Sequence, residues 1–197
     1  MKVIELEVTL EDVEPAVKRA LIVPLNIQLD HLHDALQAAL GWTNTHLYMI
    51  MSGGNTWSTL DPDYPNEDLN AEKYTLKQLI ALTGSDSFDY IYDFGDGWEH
   101  CVSIGKAFDA IGTEVYPKLL SATGACPPED IGGPPGYEDF LEVLADKEHP
   151  DYAEVMEWRN EEFNPNDAEE EALKENVHRV ASALYGKATN VVPFSTS

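Results

Sequence analysis

The chain is short of positive charge. Its 197 residues hold 12 Lys and Arg against 36 Asp and Glu, a formal net charge of −24. Binding nucleic acid requires neutralising a dense row of phosphates, so direct DNA or RNA binding is not expected. Cysteine is scarce as well, with only Cys101 and Cys126. A disulfide framework is therefore excluded as the source of stability. No apolar run is long enough to span a bilayer. The opening residues, Met-Lys-Val-Ile-Glu, lack the apolar core of a signal peptide. The expected setting is soluble and cytoplasmic, with no membrane partner.

Catalytic signatures are missing too. Gly95-Asp96-Gly97 is not a phosphate loop, because no Lys-Ser or Lys-Thr follows it into a helix. Gly132-Gly133-Pro134-Pro135-Gly136 lacks amide donors where its prolines fall. Asp93-Phe94-Gly95 matches the kinase metal tripeptide by letters, without the catalytic loop or lysine strand. No His-Glu-x-x-His helix and no internal repeat occurs.

What is present is a real core: 43% of the residues are hydrophobic. The clearest element is an alternating stretch over residues 88–104, split by Gly95-Asp96-Gly97. It predicts a β-hairpin. A three-residue loop would pair Phe94 with Trp98, Tyr92 with His100, Tyr90 with Val102 and Phe88 with Ile104. The large apolar groups other than Ile91 then share one face, and Asp89, Asp93, Glu99 and Ser103 the other. A two-residue Asp96-Gly97 loop would mix Glu99 with Phe94, so the first register is preferred. Gly97 takes the left-handed bulge position. Tyr92, Phe94, Trp98 and Leu36 are expected in the core, with Asp93 and Glu99 more exposed.

Other elements follow from periodicity. Residues 3–10 and 16–23 alternate and predict two strands paired as a hairpin. Leu29, Leu32, Leu36, Ala39 and Leu40 form one stripe of a helix over 29–40. Gly41 stops it, and Trp42 folds back on the last turn. His31 and His33 fall off the stripe and predict surface. Residues 46–51 predict a third strand. Residues 52–70 predict a long polar loop, and Thr75 caps a short helix over 76–82 that Gly84 ends. The stretch 107–123 gives no clear period, and Tyr116-Pro117 predicts a turning path there. Residues 125–136 hold four prolines and three glycines, which predicts a rigid loop. Helices are expected over 137–145, over 150–158 after Pro150, and from an Asp167 cap to Leu184.

Together these predict an α+β fold. A mixed sheet of about five strands, in the β-grasp-like order ββαβ…ββ, carries a packed helix and a C-terminal helical extension. The single domain covers 1–186, with the sheet part in about 1–124 and the loop and acidic helices in about 125–186. Residues 187–197 have no periodicity and predict a flexible tail. Seventeen of the acids but three of the bases fall between Glu129 and Glu175, so the outer faces of the late helices are expected to be acidic.

Asp93 to His100, Ala125 to Asp130 and Gly132 to Tyr137 occur in one order, with Val23-Pro24, Leu32-His33, Gly41-Trp42 and His46-Leu47 upstream. With these segments the chain resembles the plasmid pRiA4b ORF-3-like family over about residues 1–163. Many members have a second loop cysteine where this chain has Ile131. Some are labelled resolvases or are associated with mobile elements. The resemblance implies a fold and a set of shared segments but no reaction.

Within those segments, His46, His100, Cys126 and Glu129 (or Asp130) are the candidate metal ligands. A thiolate, imidazoles and a carboxylate make a tetrahedral zinc set. The alternative places His100 as a hydrogen-bonded core histidine and Cys126 as a small buried hydrophobe. Cys126 with His100 is also a candidate nucleophile and base, with no third orienting group in view. Two functions are consistent with this pattern. One is a non-enzymatic binding or regulatory module whose acidic face meets a basic protein partner. The other is a metal-dependent enzyme, hydrolase-like, using the His, Cys and carboxylate set.

Overall fold

The computed structural model describes residues 1–60, 63, 67–112, 114–159 and 163–186. The expected tail, and part of the expected long loop, lie outside them. Chain order is β1 (Lys2–Leu10), β2 (Val17–Pro24), α1 (Leu29–Leu40), β3 (Tyr48–Ser52), β4 (Asn55–Ser58), β5 (Leu69–Asn70), a 3-10 turn (Ala71–Lys73), α2 (Leu76–Thr83), β6 (Ser87–Tyr92), β7 (Trp98–Asp109), β8 (Lys118–Thr123), α3 (Gly133–Ala145), α4 (Tyr152–Arg159) and α5 (Glu170–Tyr185).

The fold is α+β with a mixed sheet, but the sheet has eight strands rather than about five, in the order β5-β4-β3-β6-β7-β1-β2-β8. All neighbours are antiparallel except β4 and β5. The additional strands come from places without a readable period. β4 and β5 are short and lie in the expected loop. β8 emerges from the stretch 107–123, and its alternation is weak because only Leu119 is buried. β7 runs on to Asp109 past a bulge opposite Glu5.

The ladders sort side chains by face. Leu6 pairs with Leu21 and Ile104, and Val8 with Arg19 and Val102. Tyr90 pairs with His100, and Tyr92 with both Trp98 and Tyr48. These residues share the inner face and one continuous core with α1 through Leu29, Leu32, Leu36 and Ala39. The other face carries exposed Glu5, Glu7, Asp89 and Glu99. Helix α1 ends as its sequence predicts: Gly41 has φ 88° and its amide donates to Gln37 O at 2.9 Å. Thr75 and Gln78 form a capping box on α2.

The central hairpin needs a correction. Tyr92, not Phe94, lies opposite Trp98. The loop is five residues, 93–97, because the chain leaves the ladder at Asp93, which adopts φ 56°. Its carboxylate accepts from the Gly95 amide at 2.9 Å, and its carbonyl accepts from the Gly97 amide at 2.6 Å. The displacement from the expected pairing is two residues, so every strand side chain keeps its face. Phe94 is nevertheless lost from the core and is 50% exposed, while Asp93 is buried. Gly97 is left-handed, as expected, at φ 70°.

Two further expectations change. The loop does not extend to Gly136: α3 begins at Gly133, with prolines in its first turn, where no amide partner is needed. His33 is buried rather than on the surface. Its Nδ1 lies 2.8 Å from Tyr90 Oη and its Nε2 2.7 Å from Asn44 Oδ1, and its ring stacks on Tyr48. Asn44 Oδ1 can only accept, which assigns the imidazole proton to Nε2, and Tyr90 Oη, which accepts from Gln37, then donates to Nδ1.

Trp98 is fully buried, so Trp98→Ala should cost about 3–5 kcal/mol. Phe94→Ala should stay within about 0.5 kcal/mol of the parent, as an exposed side chain would. Urea unfolding of the two variants tests this register, which equal losses would contradict.

Candidate metal centre

The site is built where three chain segments meet at one end of the sheet. The first is the stretch between α1 and β3, which holds Trp42, Thr43, Thr45 and His46. The second is the turn between β6 and β7, which starts at Asp93. The third is the proline-rich loop 125–132. Each tie between them is a specific hydrogen bond.

Trp42 Nε1 donates to Pro127 O at 2.9 Å. Glu129 gathers several donors: the Thr43 amide at 2.9 Å, Thr43 Oγ1 at 2.6 Å and Tyr92 Oη at 2.7 Å. Tyr92 Oη in turn accepts from the amides of Thr45 at 3.0 Å and His46 at 3.3 Å. Burial, and then its bond to Glu129, raise the Tyr92 hydroxyl above the ordinary tyrosine range, so it remains a donor at neutral pH. On the far side, the Gly132 amide donates to Asp96 Oδ2 at 3.1 Å. A Cβ on Gly133 would run into the Asp96 carbonyl oxygen, so only glycine lets the loop lie this close.

These ties bring His46, Asp93 and Asp130 together. His46 Nδ1 lies 3.5 Å from Asp93 Oδ2, and His46 Nε2 lies 3.2 Å from Asp130 Oδ1. The second contact is short but poorly aligned, so the shielded Nε2 makes no hydrogen bond. One donor atom from each residue lies within 4.8 Å of the others, the only such group of His, Cys, Asp and Glu among the described residues. Asp93 and Asp130 are both left-handed, at φ 56° and 61°. Aspartate tolerates this conformation better than most side chains, at a small cost. The side chain of Asp93 is nearly enclosed, that of His46 is partly covered and that of Asp130 is open to solvent.

The four residues proposed from sequence are therefore placed in different surroundings. His46 is at the centre of the group. Glu129 precedes Asp130 in the chain, but its oxygens serve Tyr92 and Thr43 as a brace. His100 lies in the core, with Nδ1 3.0 Å from Tyr90 O and its ring edge-on to Trp42. Cys126 meets Arg19, whose Nη2 lies 3.2 Å from the sulfur. Asp130, considered as an alternative to Glu129, joins His46. Asp93 is the member of this group that strand periodicity missed, because it was read as a strand residue on the polar face. Its signal was local: an aspartate at a strand end, before Gly-Asp-Gly, favours a side-chain-capped turn.

A family model described as Plasmid pRiA4b ORF-3-like protein matches residues 2–172. The protein described as Uncharacterized protein y4hQ, from Sinorhizobium fredii (strain NBRC 101917 / NGR234), is 49% identical over 156 residues, covering 79% of this chain and 80% of that one. A crystal structure described as Protein of Unknown Function MM3350 from Methanosarcina mazei Go1 is similar with a TM-score of 0.75 and 30% identity, over 84% of this chain and 94% of that one.

Two predictions follow from this geometry. Tyr92→Phe removes the donor to Glu129 and the acceptor for two amides, and should cost about 1–3 kcal/mol in urea unfolding; no measurable loss would mean that the three segments are not tied there. The second concerns pH. Burial pushes both His33 and His100 down to about 4 from an ordinary 6.5. The unfolded chain takes up these protons first, so stability should fall as pH drops from about 6.5 to about 4. His33→Gln should flatten part of that slope in urea midpoints measured across the window; an unchanged slope would contradict a neutral buried His33.

Proposed function

The chain belongs to the plasmid pRiA4b ORF-3-like family, and we propose that it is a divalent-metal-dependent binding module whose contact point is His46, Asp93 and Asp130. The observation that carries this reading is the convergence of one imidazole and two carboxylates, one donor atom from each within 4.8 Å of the others. One nitrogen and two oxygens suit zinc or manganese, without the thiolate of a closed structural zinc site. Three protein donors leave positions open for a donor from a partner.

Two exposed apolar side chains flank the ligands in sequence: Leu47 next to His46, 65% exposed, and Phe94 next to Asp93, 50% exposed. They supply contact area beside the metal. The remaining surface is acidic, as on Glu138, Asp139 and Glu142 of α3, which are all exposed. That charge favours a basic protein partner, held more weakly as salt rises. Both cysteines are unpaired, in keeping with a reducing compartment, the cytoplasm. No helix among the described residues is long and apolar enough to cross a membrane.

A metal-dependent hydrolase is the second reading, because a three-donor site with open positions also suits a metal-bound water. Against it, the oxygens of Glu129 are taken up by Tyr92 and Thr43, so that carboxylate serves as a brace and not as a base.

Calorimetric titration of the untagged protein with zinc and manganese tests the module. One equivalent of at least one metal should bind. His46→Ala and Asp130→Asn should each weaken binding by about tenfold or more, and Cys126→Ser should leave it unchanged. Binding that survives both ligand variants would refute the site.

A further inference from the structure

Arg19 is a buried cation without a counter-charge among the described residues. It stands on the inner face of the sheet opposite Val8 and is 2% exposed. Nε donates to Ala39 O at 2.7 Å, and Nη1 donates to Lys18 O at 2.7 Å and Thr123 O at 2.8 Å. Nη2 donates to Cys126 Sγ at 3.2 Å. Three neutral carbonyls and one sulfur thus take four of the five N–H groups of the guanidinium. Among the described residues no carboxylate lies within 4.0 Å of it. Cys126 does not supply the missing charge. Burial pushes its thiol up to about 11 against the pull of Arg19, so the sulfur is protonated at neutral pH. A buried charge left without a partner is costly.

Arg19 also lines a cavity of about 780 Å³. Its walls are the carboxyl end of α1, the loop 125–129, α3 and α4, and the first two turns of α5. Leu40, Leu144, Met156 and Leu173 give it one apolar side, while the exposed lining as a whole is more polar than apolar, with Asn164 and Asn176 among its polar groups. Its volume is within the range of small-molecule sites.

We propose that this cavity binds a small organic carboxylate, its head group on the remaining Nη2 hydrogen of Arg19 and its apolar body against Leu144, Met156 and Leu173. A single negative charge fits better than a phosphate dianion, because carboxylates also line the space. Glu129 is engaged with Thr43 and Tyr92, and Asp167 Oδ1 accepts from the Glu169 amide at 3.0 Å. Glu169 and Lys147, the remaining charged groups of the lining, are exposed and of opposite sign. A cationic ligand would meet the buried guanidinium.

The test uses the whole protein in EDTA, so its result is independent of the metal site. Hexanoate, benzoate and phenylacetate are titrated alongside hexanamide and benzamide by calorimetry, and by NMR of the Arg19 Nε–H and the Met156 methyl. At least one carboxylate should bind saturably at roughly millimolar concentration or below, shift both signals, and outcompete its amide by about tenfold or more. Met156→Trp, which intrudes on the apolar side of the cavity where the ligand body would lie and leaves Arg19 in place, should abolish binding while the far-UV spectrum stays that of the parent. Absence of binding by all three carboxylates, equal binding of acid and amide, or full binding by folded Met156→Trp would each overturn the proposal.

Discussion

The architecture of this protein depends on one clamp: the loop 125–133 held across the end of the sheet by Trp42, Tyr92 and Asp96. Trp42 Nε1 holds Pro127 O, Tyr92 Oη holds Glu129, and Asp96 Oδ2 holds the Gly132 amide. The anchors come from the stop of α1, the end of β6 and the turn before β7. Prolines at 127 and 128 lower the entropy of the unfolded loop and so reduce the cost of fixing it.

The clamp has two sides with different chemistry. Toward the solvent, it carries Asp130 to His46 and Asp93, and an open polar notch results. Toward the interior, it carries Cys126 to Arg19, and with α3, α4 and α5 it lines an open cavity of mixed polarity. A single loop therefore sets the geometry on both sides. Hydrophobic burial holds the body of the protein, through Tyr90, Tyr92, Trp98 and the stripe of α1. The polar ties then select where the loop sits on it. This division is physically reasonable, since burial is non-directional and hydrogen bonds fix relative positions.

Polar groups inside the core carry a second constraint. His33, Gln37 and Tyr90 form a chain of hydrogen bonds between α1 and β6. Neutral His33 and His100 make this interior sensitive to acid, independently of any metal. The inner face is thus not an ordinary apolar sheet surface. It holds Arg19, His100 and two tyrosines among its valines and leucines, and these are the residues whose roles side-chain periodicity alone does not reveal.

The sequence by itself determined the elements whose signals are local. The stripe of α1 with Gly41 after it, the Thr75 cap, the alternation of β1 and β2, and the face assignments of β6 and β7 were all legible, because each depends on neighbours a few residues away. The segments shared with the family were legible on the same ground. The hairpin loop was read two residues too short in each pairing, since Asp93 leaves the strand through its own side-chain bonds rather than through any break in hydrophobic pattern. β4, β5 and β8 stayed hidden because short strands at or near the sheet edges bury few side chains. His46 and the Asp130 alternative were named from sequence, but their meeting with Asp93 was decided only by the tertiary structure. His100 and Cys126 were parted from them for the same reason. Which side of the clamped loop each residue occupies depends on contacts between segments some thirty to ninety residues apart, as between Thr43 and Glu129, and no local period encodes such a distance.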